Sequence, residues 1–495
     1  MRFLKRDKFL VPILALWCFA ILVADEKSDE KILATVGTKK ITVKEFLDRS
    51  ELTIRPNNFK DKNTTLNNLI CEKILALEAE RKREQLEVPR LQNMLKGIKE
   101  QLMRDKLYYE DVDKKVNIST QEISNAYKYS TREYEVEFFT IRDKELVHKI
   151  TTALDSVPEL SNELFATVGE ALGEKPVHKI NYKDPDDDVI HQALFSHDLD
   201  TGTVIGPLAL SNGDHILMKV ITWVNYPLIS GEDQRVQWNK VAKKLHEQKA
   251  AELGKAYLAK VMKGKKLEFN RESFNTITKF AMEYYLNKKK DDSLNLQMTE
   301  IPSLKPDMDL RAPFFTIDGK VWSIKDFQKE VLSHPLVFRT TNIDSSNFQL
   351  QFKLAVVDMI RDYYLTQEAY KKKLDTSEDV IATTKMWEDS FLASNQLKSV
   401  MDSVVEHGAV ANTDVTGKIN YRVSYLQALQ KKYSPMIKIN YALFNTLSLT
   451  KIDMFAMRPG VPYPAAVPAF PAFILSENLD YAKKEDHRQE MRIKK

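Results

Sequence analysis

The sequence predicts an α+β protein that is mostly helical. Three observations carry this. Only 14 of 495 residues are glycine, and the good helix formers Lys, Glu, Leu and Gln are abundant. A strand–turn–strand–helix phrase occurs twice, far apart. Between the copies, over residues 132–228, the helical period gives way to short alternating strands.

The repeated phrase is "TVGTKKITVKEF", Thr35 to Phe46, and "TIDGKVWSIKDF", Thr316 to Phe327. Thr35/Thr316, Lys39/Lys320, Lys44/Lys325 and Phe46/Phe327 coincide. Thr42 and Ser323 are placed to cap the helix that follows, with Glu45 and Asp326 three residues on, where a capping box puts its acid. Downstream, Leu66, Leu69, Ile70, Ile74 and Leu77 mark one helical stripe, and Val356, Met359, Ile360 and Tyr364 another. Each stretch alone is an amphipathic helix beside a hairpin. Their ordered recurrence predicts a duplicated module. Each copy is small, so the two are expected to share one core.

The chain is too long for a single core, and about two to four domains are expected. Lys plus Arg is 74 against 70 acidic residues, a net charge of +4. That balance gives no concentrated basic face for nucleic acid. Residues 1–24 pair a basic start, "MRFLKRDK", with an apolar run from Phe9 to Ala24. This is the pattern of a secretory signal. The alternative is a retained anchor, a membrane tether through residues 9–24. Either places the chain in the periplasm or another extracytoplasmic compartment, soluble or anchored at the inner membrane. Beyond the run only Cys71 remains, which makes no internal disulfide and reads as a small buried hydrophobe.

The expected organisation is a first module over 25–131, a strand-containing segment over 132–228 and a helical segment over 229–286. A linker over 287–313 is rich in polar residues and broken by proline. A second module covers 314–405 and a C-terminal region 406–495. That last region carries prolines at 459, 462, 464, 468 and 471, the mark of an extended arm lying across a surface. No glycine-rich phosphate loop, metal-ligand spacing or nucleophile elbow is present. "DPDDD", Asp184 to Asp188, lacks the spacing and closing Glu of a calcium loop and reads as a solvated loop.

These pieces together resemble the SurA-type extracytoplasmic chaperones, which carry parvulin peptidyl-prolyl isomerase domains. The resemblance covers most of residues 30–405. "ILATVGTKKITVKEFLDR", "ICEKILALEAERKREQLEV" and "ISTQEISNAYKYS" are similar to the family's opening, helical and lead-in phrases. "LDTGTVIGPLALSNGDHILMKV" is similar to the closing phrase of a parvulin domain, with Gly202, Gly206, Pro207, Gly213 and His215 in place. The resemblance implies a SurA-like helical chaperone core of two modules with an inserted parvulin-like α/β domain.

It also implies site residues. His215 would be the catalytic histidine, and Phe138, Phe139, Ile190 and Phe195 would line the proline pocket. The family's other histidine falls where this chain has Phe138 or Phe139. The pocket lining falls on Asp187, Ile190, Ala193 and Phe195, of which Ala193 and Phe195 keep their character. The glycine-rich segment is replaced by "KPVHKINYKDPDDD". The implied site is therefore incomplete. His215 is then a structural residue bonded across the sheet, or the remnant of a catalytic pair. The expected function is an exported chaperone of unfolded polypeptides, with outer-membrane proteins among the candidate clients and no cofactor. The alternatives are a working prolyl isomerase and a structural envelope protein that self-associates through the repeats.

Overall fold

The structure is a computed structural model. It describes residues 31–59, 61–81, 89–173, 176–184, 187–210, 212–289, 297–298, 309–340, 342–449 and 466–481. The expected signal segment, most of the expected linker and the first three tail prolines lie outside them.

In chain order the elements begin with β1 (Ile32–Val36), β2 (Lys39–Thr42), α1 (Val43–Glu51), α2 (Lys62–Arg81), α3 (Pro89–Asp111) and α4 (Thr120–Tyr127). Next come β3 (Arg132–Ile141), α5 (Lys144–Ser156), α6 (Ser161–Leu172), β4 (Val177–Asn181), α7 (Asp188–Phe195), β5 (Val204–Ala209), β6 (His215–Asn225) and α8 (Gly231–Val261). They are followed by β7 (Leu267–Phe269), α9 (Arg271–Lys289), β8 (Gln297–Met298), β9 (Pro313–Ile317), β10 (Lys320–Ser323) and α10 (Ile324–Ser333). The chain ends with β11 (Leu336–Val337), α11 (Phe348–Lys371), α12 (Glu378–Glu406), α13 (Val415–Tyr433), β12 (Ile437–Ile439) and α14 (Tyr441–Thr446). The fold is mixed α+β and mostly helical, with several small antiparallel sheets.

The chain divides into two compact units, residues 1–105 with 370–495, and residues 106–369. The two copies of the repeated phrase fall in different units, so the expected single shared core is replaced by two cores. The module boundaries move as well. Residues 106–131 belong with the second unit, where α4 packs on α8, and residues 370–405 with the first, where α12 packs on α2.

In the first unit, β1 and β2 form the expected hairpin about Gly37, whose φ of +58° suits glycine. Thr42 caps α1 by accepting a hydrogen bond from Glu45 N. A third strand completes the sheet from far away: β12 pairs with β1, Val36 opposite Ile437, in the order β12-β1-β2. The C-terminal region is therefore part of the N-terminal core. Leu33, Phe46, Leu66, Ile70 and Leu75 pack there with Leu426, Tyr433, Phe444 and Leu479.

The amphipathic reading of α2 fails. The helix is buried on every face from Thr64 to Ala76. Cys71 is among these residues, and burial pushes its thiol up to about 12. The polar residues buried with it are paired. Arg49 forks onto Glu72, both bonds 2.8 Å. Lys73 lies 2.6 Å from Glu45 and 2.9 Å from Asp389 of α12, and Lys39 lies 2.6 Å from the other Asp389 oxygen. Three buried cations thus face three buried carboxylates. Burial pushes the Asp389 carboxyl up, but Lys73 and Lys39 more than offset it and hold it below the usual range.

In the second unit, β9 and β10 repeat the hairpin and Ser323 forms a full capping box with Asp326. Here too a third strand joins the first strand of the hairpin, β7 beside β9. The core is aromatic, with Phe314, Phe327, Phe348 and Phe352 packed on Phe274 of α9. Within the expected linker, β8 pairs with β11.

The middle segment forms a four-stranded antiparallel sheet of order β4-β3-β6-β5. Its first residue, Arg132, pairs with Asn225 near its end, so the segment leaves the sheet where it entered. One face carries α5 and α6 through Phe139, Ile141, Ile150, Phe165 and Leu217. The other carries α7 and α8 through Tyr134, Val136, Phe195, Val220 and Val241.

Asp389→Ala should lower the stability of the first unit by about 3–5 kcal/mol, because it removes the carboxylate shared by two buried ammonium groups and leaves Lys73 with Glu45 alone and Lys39 with Glu80 alone. Urea unfolding of the full chain checks this. The depressed carboxyl pKa means that the same stabilisation is present at neutral pH and is lost as pH falls below the usual carboxylate range.

Candidate functional site

The sequence places its candidate residues on β3, α7 and β6 of the middle sheet, and strand alternation decides where each side chain goes. His215 opens β6 opposite Ile141, and Phe139 lies opposite Leu217. Ile141, Phe139 and Leu217 are buried beneath α5 and α6, with the Phe139 and Phe165 rings 4.7 Å apart. His215 shares this face, at its end. Phe138 points to the other face, where its ring lies 5.3 Å from that of His178. Phe195 and Ile190 of α7 pack on that face as well. The sheet therefore separates His215 and Phe139 from Phe138, Phe195 and Ile190.

The cross-sheet hydrogen bond expected of His215 is absent. Among the described residues its imidazole, only partly buried, has no hydrogen-bond partner. The strand pairing around it is tightly specified all the same. Gly206 sits at a bulge of β5 against β6 with φ +104°. A Cβ there would lie 2.5 Å from the Ile216 carbonyl oxygen, so only glycine fits.

The sequence reading missed one strongly perturbed group of the segment, His191. It lies one helical turn before Phe195 on α7 and is 4% exposed. Its ring meets Tyr182 edge-on at 4.4 Å and lies 5.2 Å from Phe195. Gln248 of α8 donates from Nε2 to His191 Nδ1 at 3.1 Å, which leaves the ring proton on Nε2. Burial pushes the imidazole down to about 4; Lys244 adds to the effect and Asp188 opposes it. The available signal was the spacing of His191 from the cap residue Asp187 and from Phe195.

The acidic run nearby is structural. Asp184 accepts from Asn181 N at 2.8 Å, Asp187 accepts from Val189 N at 3.1 Å to cap α7, and Asp188 pairs with Lys244 at 2.6 Å. Among the described residues, no group of three or more His, Cys, Asp or Glu could hold a metal ion, and no helix is long and apolar enough to cross a membrane.

Chemically, the arrangement offers a neutral imidazole sealed among aromatic rings on one face and a lone imidazole at the end of the other. Among the described residues, the site residues named from the sequence therefore do not meet in one pocket: His215 and Phe139 lie on one face, and Phe138, Phe195 and Ile190 on the other.

The sequence matches no family model and no curated protein. Among solved structures it has a distant likeness to one titled "Crystal Structure of PrsA from Bacillus subtilis". The two share 14% identity at a TM-score of 0.14, over 46% of this chain and 93% of that one. A likeness of that size bears no weight for fold or function.

His191 makes the segment acid-sensitive with a defined sign. Unfolded, it takes its proton near 6.5; folded, near 4. The unfolded state therefore binds more protons between these values, and stability falls as pH drops from 6.5 toward 4. Calorimetric melts over that range should show a shallower loss of Tm in His191→Phe than in the wild type.

Proposed function

We propose that this protein is an exported chaperone that binds unfolded or partly folded polypeptides. In this reading each unit carries one of two related, SurA-like hairpin–helix modules, and the middle segment is a parvulin-like domain whose isomerase activity is reduced or absent. The family phrases quoted above support the reading. So does the shared pattern of the two hairpins, each completed by a remote third strand laid beside its first strand.

The observation that carries it is an apolar run left in solvent at the end of β6. Trp223, Val224, Tyr226 and Ile229 are all exposed, Ile229 at 94%. Arg132 covers one face of the Trp223 ring at 4.1 Å, but Val224, Tyr226 and Ile229 stand close together in sequence and open to water, where a binding surface would present them. Extended, apolar polypeptide segments fit such a surface, and the lysines and acids of α8 keep it solvated. The division of His215 and Phe139 from Phe138, Phe195 and Ile190 supports an isomerase activity that is reduced or absent.

Tyr226→Ser combined with Ile229→Ser should weaken suppression of aggregation of a denatured client. It should leave Tm nearly unchanged, since exposed positions contribute within about ±0.5 kcal/mol. Light scattering and a thermal melt on the same samples test this. In proline-limited refolding, the wild type should give little acceleration, and His215→Ala should change it little. A large acceleration, abolished by His215→Ala in a variant that melts normally, would make the protein an isomerase and overturn the assignment.

A further inference from the structure

The tail was expected to lie across a surface as an extended arm. Its described part, residues 466–481, has no helix or strand and runs over the first unit. What holds it is unusual. Asn68 of α2, wholly buried, grips the main chain like a paired strand. Its Oδ1 accepts from Phe473 N and Ile474 N at 2.7 and 2.9 Å, and its Nδ2 donates to Ile474 O at 2.8 Å. Asn67 donates to Ser476 O at 2.7 Å and Arg49 to Ala469 O at 2.7 Å.

These bonds read backbone, not side chains. The amides that Asn68 uses are those of Phe473 and Ile474, so Pro468 and Pro471, which have none, are accommodated. The side chains add apolar bulk, since Phe470 meets Phe59 edge-on at 5.7 Å and Ile474 and Leu479 are buried, and one polar contact at the far end, where Tyr481 Oη donates to Asn67 Oδ1 and accepts from Gln430 Nε2. An extended peptide with apolar residues four apart presents them on one side, as this segment does. With the segment in place, Asn67, Asn68 and Arg49 are fully buried. Without a main chain against them, the amides and the guanidinium would lose hydrogen bonds made in the dry interior.

We propose that this groove, floored by Asn67, Asn68 and Arg49, is a binding site for extended apolar polypeptide, and that residues 466–481 occupy it until a client segment displaces them. The inference rests on the chaperone reading and adds a second client site with a built-in competitor. A tethered segment competes at an effective concentration in the millimolar range, so the resting chain should bind peptide in trans weakly and release it readily.

The test uses the full chain and a labelled synthetic peptide copying residues 466–481. Phe470→Ser with Ile474→Ser weakens the tethered segment and leaves the groove intact. This variant should bind the peptide at least about tenfold more tightly than the wild type, by removing the occupied fraction. Adding Asn68→Leu should abolish the gain. A variant that melts cooperatively yet binds no better than the wild type overturns the proposal, as does one that loses its fold, since the segment is then plain core.

Hydrogen exchange on the wild type is the second measurement. The amides of Phe473 and Ile474 should exchange faster than those of α2, and faster still with saturating unlabelled peptide. Exchange at the rate of global unfolding, unmoved by peptide, overturns it too. Suppression of client aggregation, followed on the same samples, separates the two ideas: suppression without peptide binding removes the groove and leaves the chaperone reading standing.

Discussion

The first unit is built around buried charge. Arg49, Lys73 and Lys39 cannot leave water unless Glu72, Glu45 and Asp389 go with them, because an unpaired ion in an apolar interior costs several kcal/mol. These residues come from β2, α1, α2 and α12, which span most of the sequence. The ion pairs therefore fix how these elements meet with an accuracy that apolar packing alone lacks. A shift of α12 along α2 would separate Asp389 from both lysines at once. Such a network adds less net stability than aliphatic packing of equal volume would. Here its contribution is a single register for a helix, α2, that is covered on every side.

Much of the local structure was legible because its causes are local. Thr42 and Ser323 cap their helices through bonds to residues three positions away, and the glycine in the first hairpin sits where a left-handed turn needs it. Mixed α+β character followed from the same signals. What was not legible depends on remote partners. Ile437–Ile439 and Leu267–Phe269 are too short to announce themselves as strands until a hairpin edge is beside them. Glu72 and Lys73 have the sequence of a solvated helix face and become interior only because α1 brings Arg49 to the one and α12 brings Asp389 to the other. That also explains why two cores replace one. Each hairpin keeps the helices that follow it but finds its third strand, and a further helix of its core, in segments that the sequence reading had assigned elsewhere.

The candidate site shows the same limit in another form. The residues around His215 kept the spacing of a known phrase, and Gly206 is needed for the strand geometry that phrase encodes. Spacing along a strand, however, says nothing about which side of a sheet a residue takes. One step of alternation separates Phe138 from Phe139, and that step puts them on opposite faces. His191 was passed over because a histidine inside an apolar helix reads as filler. Its environment, aromatic rings and a glutamine donor, exists only after α8 has packed on α7.

The pairing of β1 with β12 joins residues some 400 positions apart, and this has a consequence for birth of the molecule on the ribosome. Chains emerge from the N-terminus, and domains fold as their residues become available. The second unit, continuous in sequence, can close while synthesis continues. The first unit cannot. Its earliest residues, with their charged and apolar side chains alike unpartnered, must wait for almost the last ones to be made. For most of its own synthesis, the opening segment of this protein is in the state of a nascent chain that has emerged before the strand it must pair with exists.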